Sequence, residues 1–237
     1  GMASCFFVNG LSFFFVVIAL NALHVPPHKP SANRQALGEE LKGGLRYVRD
    51  NRLLMTLTIL VFISTFLAMP ILTLLPAFAT EVLTGGGSRE VRLAMLMASQ
   101  GLGAILGALI VGSVGTSVNM TKMLLGVQIG LGLLITAFAA STRLPLSLVL
   151  LFFSGIFFMA LFSISFSLVQ LTVPDALRGR VVSIYMVALR GGGPIGGLVA
   201  GALADRFTMP GVMAANGLML ALIAGSMLLF KRGSSLS

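Results

Sequence analysis

The amino-acid sequence predicts an all-α, polytopic membrane protein with seven transmembrane helices. Hydrophobic residues make up 57% of the 237-residue chain and charged residues only 10%, against roughly 25% charged residues in a typical soluble domain. The mean hydropathy is +1.01. The apolar residues fall into seven runs, each long enough to cross a hydrocarbon core about 30 Å thick as a helix. These observations exclude an ordinary soluble globule.

Short polar or glycine-rich connections separate the seven predicted spans. The spans cover residues 5–23, 53–80, 93–114, 121–140, 144–172, 181–204 and 212–230. The second span exceeds the minimal length and contains Pro70 and Pro76, which predict a tilt and a kink. The first span starts abruptly after Gly1–Ser4, and we expect the chain to be part of a longer protein.

A short surface helix is predicted in the polar stretch between the first two spans. Leu37, Leu41, Leu45 and Val48 recur with the spacing of one helical face. Acidic residues stand near the start of this segment and arginines near its end, which suits the helix dipole. We therefore expect an amphipathic helix lying along the membrane surface.

The net charge of +9 follows from an uneven distribution of lysine and arginine between the loops. Eleven of the 16 cations lie in one alternate set of loops, and four lie in the other set. Because cytoplasmic loops carry the excess of basic residues, we expect the C-terminus in the cytoplasm and the N-terminus outside. The charge thus indicates a membrane topology and not a nucleic-acid surface.

Patterns typical of enzymes, metal sites and cofactor sites are absent from the sequence. It contains no His-Glu-x-x-His, no Gly-x-Ser-x-Gly and no paired carboxylates within a span, so we expect no catalytic residues and no cofactor. Cys5 lies in an apolar run, which favours a buried structural thiol. His24 and His28 have no third ligand nearby, and we interpret them as linker residues. The glycines of GLGAILG (101–107) lie in a span with no preceding strand, which argues against a dinucleotide fingerprint.

Arg190 is the most unusual residue of the sixth span. It lies ten residues after Arg180, about 15 Å along a helix, and therefore near the middle of the bilayer. An arginine at that depth needs an anionic partner, a water-filled cavity or a bound anionic substrate. No acidic residue of the chain lies at that depth in the predicted spans. A structural hydrogen-bonding role and a role in substrate binding or coupling both stay open.

Glycines recur at helical spacing in two of the spans. Gly193, Gly197 and Gly201 are four residues apart in the sixth span, and Gly103 and Gly107 are four apart in the third, a pattern that predicts close helix packing. Beside the first set, Pro194 lacks an amide donor and permits bending. Closely packed, bendable helices suit alternating access. Plain tight packing without motion explains the same stripe equally well.

Polar and aromatic residues within spans are the remaining candidates for a binding cavity. Gln100 and Gln170 are expected to face a partner helix or a cavity. Phe66, Phe158 and Phe162 are candidates for lining an apolar drug-binding cavity, although aromatic residues of spans more often face the core or the lipid. These side chains complete the set of candidate site residues.

Several stretches together resemble one known family. They are CFFVNGLSFFFVVIAL (5–20), LKGGLRYVRDNRLLMTL (41–57), ASQGLGAILGAL (98–109), and VPDALRGRVVSIY followed by GGPIGGLVAGALADR (173–206). With these residues, the chain resembles the C-terminal part of a major facilitator superfamily transporter. The nearest branch is the one that contains enterobactin-exporter-like proteins and transmembrane secretion effectors.

The resemblance implies a partial major facilitator fold, in which the seven spans are similar to helices six to twelve of a twelve-helix transporter. Residues 1–23 then correspond to the last helix of the N-terminal half. Residues 24–52 correspond to the cytoplasmic central loop with its surface helix, and residues 53–237 to the C-terminal six-helix half. This assignment implies that an N-terminal half precedes the chain and completes the cavity.

The resemblance also implies roles for particular residues. The second, third, fifth and sixth spans line the cavity in this family, and they contain Gln100 and Arg190. Gln128, in the fourth span, is expected to face away from the cavity. The cytoplasmic loop motif before the sixth span is matched by four residues, Asp175, Arg178, Gly179 and Arg180. GPIGG (193–197) resembles the family's antiporter motif but is one residue shorter and lies in the other half, so its role is not transferred.

The function implied by the resemblance is proton-coupled efflux of small, drug-like or siderophore-like molecules. The transporter is expected to act as an antiporter in a bacterial inner (plasma) membrane, working by alternating access. Its partners are then the lipid bilayer, the small-molecule substrate, protons and the N-terminal half, with no nucleic acid. The alternative is a membrane scaffold or assembly protein that keeps the fold without transporting.

Overall fold

The computed structural model describes residues 2–22, 37–85, 87–113 and 119–233 of the chain. Apart from one isolated bridge between Thr84 and Arg143, all regular structure in these residues is helical. The helices are α1 (Met2–Ala22), α2 (Leu37–Asp50), α3 (Arg52–Ala68), α4 (Pro70–Glu81), α5 (Arg89–Ser113), α6 (Met120–Ala139), α7 (Leu144–Thr172), α8 (Asp175–Ala204) and α9 (Met209–Gly233). The all-α class predicted from the composition is confirmed.

The chain divides into two compact units. The first covers residues 1–37 and the second residues 38–237. In the second unit, six helical segments are long and apolar enough to cross a membrane, with α3 and α4 counted as one segment. They match the second to seventh predicted spans. In the first unit, the apolar segment Phe6–Ala22 of α1 is shorter than these six.

Prolines decide where two of the helices begin. Met69 interrupts the second predicted span, and Pro70 starts α4, because proline has no amide hydrogen to continue the helical ladder. The sixth span begins earlier than the predicted Val181. Pro174 precedes α8, and Asp175 stands in its first turn, where a negative charge is favourable beside the positive end of the helix dipole. The segment 175–180, which was expected in the loop before the sixth span, is therefore helical.

The helix predicted between the first two spans is present as α2, but its buried face differs from the prediction. Leu45 is 57% exposed, whereas Val48 is 4% exposed and Gly44 is buried. An ideal Cβ on Gly44 would lie 3.1 Å from side-chain atoms of Arg180 and Ile184 of α8. The absence of a side chain at this glycine brings α2 close to α8 and turns Leu45 outward. The side chains of residues 37 and 41 lie outside the described part.

Glycines let α8 pack directly on the backbone of α3. An ideal Cβ on Gly192 would lie 2.6 Å from the carbonyl oxygen of Phe62, and one on Gly196 would meet the carbonyl oxygen of Phe66 even more closely. Both distances are too short for any side chain. The stripe predicted from residues 193, 197 and 201 is therefore shifted by one position on the helix.

The members of the predicted stripe lie beside this contact. An ideal Cβ on Gly193 would lie 3.0 Å from Met69 Cγ, and one on Gly197 would lie 3.0 Å from Thr73 Oγ1. Around Gly201, no heavy atom of the described residues lies within 4 Å of such a Cβ. The two glycines thus contact side chains of the α3–α4 segment, while Gly201 takes no part in the packing.

Two further helix pairs meet through glycine. In α5, an ideal Cβ on Gly107 would lie 2.6 Å from the carbonyl oxygen of Ile156 in α7, and one on Gly103 would meet that of Phe152. Between α6 and α9, an ideal Cβ on Gly132 would lie 2.5 Å from the carbonyl oxygen of Gly217, and one on Gly217 would lie 2.5 Å from the carbonyl oxygen of Gly132. Close backbone approach of this kind is the usual way in which helices associate in lipid.

Hydrogen bonds between buried side chains add to these contacts. Gln128 Nε2 of α6 donates to Ser64 Oγ of α3 at 2.6 Å, and both side chains are buried. The hydroxyl groups of Ser165 in α7 and Tyr185 in α8 are 2.7 Å apart. Such pairs join helices where water is not available to satisfy the polar groups.

The connections at one end of the bundle are also joined. The backbone N–H of Thr84 donates to the carbonyl oxygen of Thr142 at 3.1 Å, and the Thr84 hydroxyl donates to the same oxygen at 3.2 Å. The α4–α5 and α6–α7 connections therefore lie at the same end. This agrees with the alternation of loops from which the topology was predicted.

We predict that Gly196→Leu destabilises the bundle, because a side chain at this position would collide with the α3 backbone. Overpacking of this kind costs about 1–3 kcal/mol. Gly201→Leu is the matched control on the same helix, since its site is open, and a change within about 0.5 kcal/mol is expected. Thermal unfolding of the detergent-solubilised variants measures the difference. Equal unfolding temperatures for the two variants would contradict the packing described here.

Candidate functional site: an apolar pocket between α4, α5 and α7

A pocket of about 380 Å³ lies between three of the membrane-spanning segments. Its lining combines one amide side chain with apolar residues and glycines from α4, α5 and α7: Leu72, Met97, Gln100, Gly101, Ala104, Gly155, Phe158, Met159 and Phe162. Three residues that the sequence proposed for a cavity, Gln100, Phe158 and Phe162, thus come together.

The close contact of α5 with α7 determines the shape of this pocket. An ideal Cβ on Gly155 would lie 3.0 Å from the amide nitrogen of Ala104, so the two backbones touch at the base of the pocket. Gly101, one residue along α5 from Gln100, has no heavy atom of the described residues within 4 Å of an ideal Cβ. On one side of Gln100, α5 therefore packs against the backbone of α7, and on the other side it faces open space.

Aromatic rings form the wall contributed by α7. The ring centroids of Phe158 and Phe162 are 4.9 Å apart with an interplanar angle of 69°, the edge-to-face arrangement that aromatic pairs favour. Gln100 is 9% exposed and is the one polar side chain among the lining residues. Apolar walls with a single hydrogen-bonding group suit an amphipathic small molecule.

Arg190 lies outside the pocket lining and is exposed on α8. In the described part of the chain, its guanidinium makes no hydrogen bond or ion pair. Val187 and Leu198, which are 74% and 76% exposed, lie near the same side of the helix. A guanidinium at this depth is costly in hydrocarbon. This side of α8 therefore needs water, an anion or another protein segment against it.

The structure locates the other predicted cavity residues away from the pocket. Phe66 is half-buried, and its ring lies 6.3 Å from that of Phe62, beside the contact with α8. Gln170 is exposed near the end of α7. Gln128, which the family resemblance predicts to face away from the central cavity, does not line the pocket either and is 1% exposed within the bundle.

The four residues of the predicted cytoplasmic motif begin α8. Asp175 and Arg178 form an ion pair between exposed side chains, and Gly179 is exposed. Arg180 is half-buried and engaged with neighbouring residues, and its Cβ faces Gly44 of α2. The motif therefore holds the start of α8 next to α2.

Sequence reasoning missed most of the apolar lining. Met97, Gly101 and Ala104 follow one another at helical spacing and share the face of α5 that carries Gln100, so a search around the one polar residue of this span would have found them. Leu72 and Met159 come from other helices and give no comparable signal. Among the described residues, no group of three side chains is suited to hold a metal ion.

Comparison with known proteins agrees with the all-helical membrane architecture. The sequence profile of the transmembrane secretion effector family matches residues 1–235. The chain is also 32% identical over 163 residues to the multidrug efflux pump Tap of Mycolicibacterium fortuitum, an alignment that covers 68% of this chain and 39% of that protein. The matched part of the chain thus spans well under half of that relative's length. It belongs to the transmembrane secretion effector family of major facilitator superfamily transporters.

Proposed function

We propose that these helices form part of a secondary-active efflux transporter for small molecules. The observation that carries the proposal is the apolar pocket with a single amide, built from three spans of a chain that belongs to a transporter family. The similarity to a multidrug efflux pump supports export as the direction of transport. The pocket then binds the apolar part of the substrate, and Gln100 hydrogen-bonds to a polar group.

We further propose alternating access as the mechanism. At the glycine contacts of α8 with α3 and of α5 with α7, no side chain stands between the two backbones, which suits small sliding movements. Met69 and Pro70 break the ladder of the α3–α4 segment, and Pro194 lies within α8. Interruptions of this kind let helices bend around a binding site near the middle of the membrane.

Proton antiport is the proposed source of energy, and the coupling group is expected outside these helices. The seven acidic residues of the sequence belong to α2 or stand within two residues of the ends of the α3–α4 segment, α5 and α8. None lies at mid-membrane depth, where a proton carrier of an antiporter is needed. We therefore propose that an N-terminal half of the same transporter supplies the coupling carboxylate.

Arg190 is proposed to face the central cavity, toward an anionic group of the substrate or of that N-terminal half. Its exposure and the absence of a partner in the described residues support this role. The proposed location is a bacterial inner membrane with the C-terminus in the cytoplasm. The distribution of basic residues between alternate loops supports this orientation.

Gradient-driven transport tests the proposed function. We expect the transporter that contains this chain, reconstituted in proteoliposomes, to move an amphipathic fluorescent dye when a pH gradient is imposed. A protonophore is expected to abolish this movement. Dye movement that is the same with and without the gradient would overturn proton coupling. No movement of any amphipathic dye or siderophore would favour a scaffold that retains the transporter fold.

We predict that Arg190→Ala lowers export at least tenfold without changing membrane insertion, because the cavity loses its fixed positive charge. Arg143→Ala is the matched control, since this arginine is exposed at the start of α7. Initial dye export rates at equal protein levels in membranes measure the effect. Partial recovery in Arg190→Lys would support a charge requirement. Normal export by Arg190→Ala would refute a cavity role.

A second variant pair tests the pocket. Gly101→Phe is expected to fill the pocket and raise the substrate concentration needed for half-maximal export at least tenfold. Gly112→Phe introduces the same side chain on the same helix. Around an ideal Cβ on Gly112, the described residues place no heavy atom within 4 Å, and Gly112 does not line the pocket. Concentration-dependent export by both variants is the measurement, and indistinguishable curves would contradict a role of the pocket in binding.

A further inference from the structure

A groove lies between the C-terminal end of α8 and the N-terminal part of α9. Its volume is about 840 Å³, and the α8–α9 connection and one face of α9 provide most of its lining. The lining residues are Leu203, Arg206, Phe207, Thr208, Gly211, Val212, Ala215, Asn216 and Met219. The groove is separate from the pocket between α4, α5 and α7 and shares no residue with it.

The groove has a polar end and an apolar length. Arg206 and Thr208 stand in the connection between α8, which ends at Ala204, and α9, which begins at Met209. Met219 lies ten residues further along α9, about 15 Å from Met209. This distance equals half of a hydrocarbon core about 30 Å thick. The groove therefore extends from the membrane surface through about one leaflet, the dimension of a single phospholipid.

Small residues keep the groove open. Gly211 and Ala215 follow each other at i, i+4 on the groove face of α9, and both are exposed. At the opposite side of α9, Gly217 touches the backbone of α6. The helix is thus anchored on α6 and presents small residues toward the end of α8, where no side chain fills the space.

Charge complementarity points to an anionic occupant. Arg206 is exposed, and its side chain makes no ion pair or hydrogen bond with another described residue. Asp205 is exposed beside it but does not line the groove. The Thr208 oxygen accepts a hydrogen bond from the N–H of Gly211 at 3.3 Å, which leaves its O–H free to donate. Both groups are suited to a phosphate.

We propose that this groove binds an anionic phospholipid. Arg206 and Thr208 hold the phosphate, and one acyl chain lies along α9 against Val212, Ala215 and Met219. Asn216 is half-buried and lies beside this acyl chain, about 10 Å along α9 from Met209. The lipid thereby fills the space between the ends of α8 and α9.

Lipid retention tests this site. The protein is reconstituted in nanodiscs that contain equal amounts of phosphatidylglycerol and phosphatidylcholine. It is then released into detergent, and the lipid that stays bound is measured by native mass spectrometry. We expect phosphatidylglycerol to be retained preferentially, and Arg206→Gln to reduce its retention at least fivefold. Arg143→Gln is the control, because Arg143 is also an exposed arginine in a connection between two helices, directly before α7. It is expected to behave as the unsubstituted protein does.

A variant that leaves the charge in place provides an independent measurement. Ala215→Phe is expected to fill the apolar length of the groove and to displace phosphatidylglycerol although Arg206 is retained. Equal retention of the two lipids by the unsubstituted protein would overturn the proposal, as would unchanged retention in Arg206→Gln. A dimer that Ala215→Phe dissociates would identify a second copy of the chain as the occupant and would likewise overturn it.

Discussion

Backbone-to-backbone contact through glycine is the constraint on which the rest of this structure depends. Lipid tails are as apolar as leucine, so helices in a bilayer gain little from burying apolar side chains against one another and associate mainly by close packing and hydrogen bonds. Here α3 meets α8, α5 meets α7, and α6 meets α9 through Gly196, Gly107 and Gly132 among others. Because each approach excludes even a methyl group, these glycines determine which helices are neighbours.

The pocket and the groove are consequences of this packing. Where α5 and α7 touch at Gly155, the wider side chains on either side of the contact cannot also touch, and the pocket with Gln100 and Phe158 opens beside it. In the N-terminal part of α9, Gly217 holds one side of the helix against α6, while Ala215 on the other side faces the open groove. Both spaces therefore arise where a glycine contact ends, and both combine an apolar wall with few polar groups.

Sequence reasoning succeeded where a local pattern had a single physical cause. Pro70 marked the break between α3 and α4, and the apolar runs marked every span of the second unit within a few residues at most ends. It failed where two readings of one pattern differ only by rotation of a helix. The spacing of Leu45 with Val48 suggested an apolar face, yet Gly44 decided which side of α2 is buried. Likewise, the stripe of Gly193 and Gly197 was recognised, but the closest contacts belong to Gly192 and Gly196.

By itself, the sequence determined that this protein is an all-helical membrane protein, where most of its spans begin and end to within a few residues, and that it resembles a transporter family. Composition, hydropathy and proline placement are properties of the chain that need no partner helix. Only the tertiary structure decided which of the polar and aromatic candidates meet, because residues of three separate helices contribute to one pocket. It united Gln100 with Phe158 and Phe162, and it left Arg190 outside that pocket on an exposed side of α8. The physical reason is that helix rotation is set by glycine contacts with a neighbour, and a single helix carries no information about that neighbour.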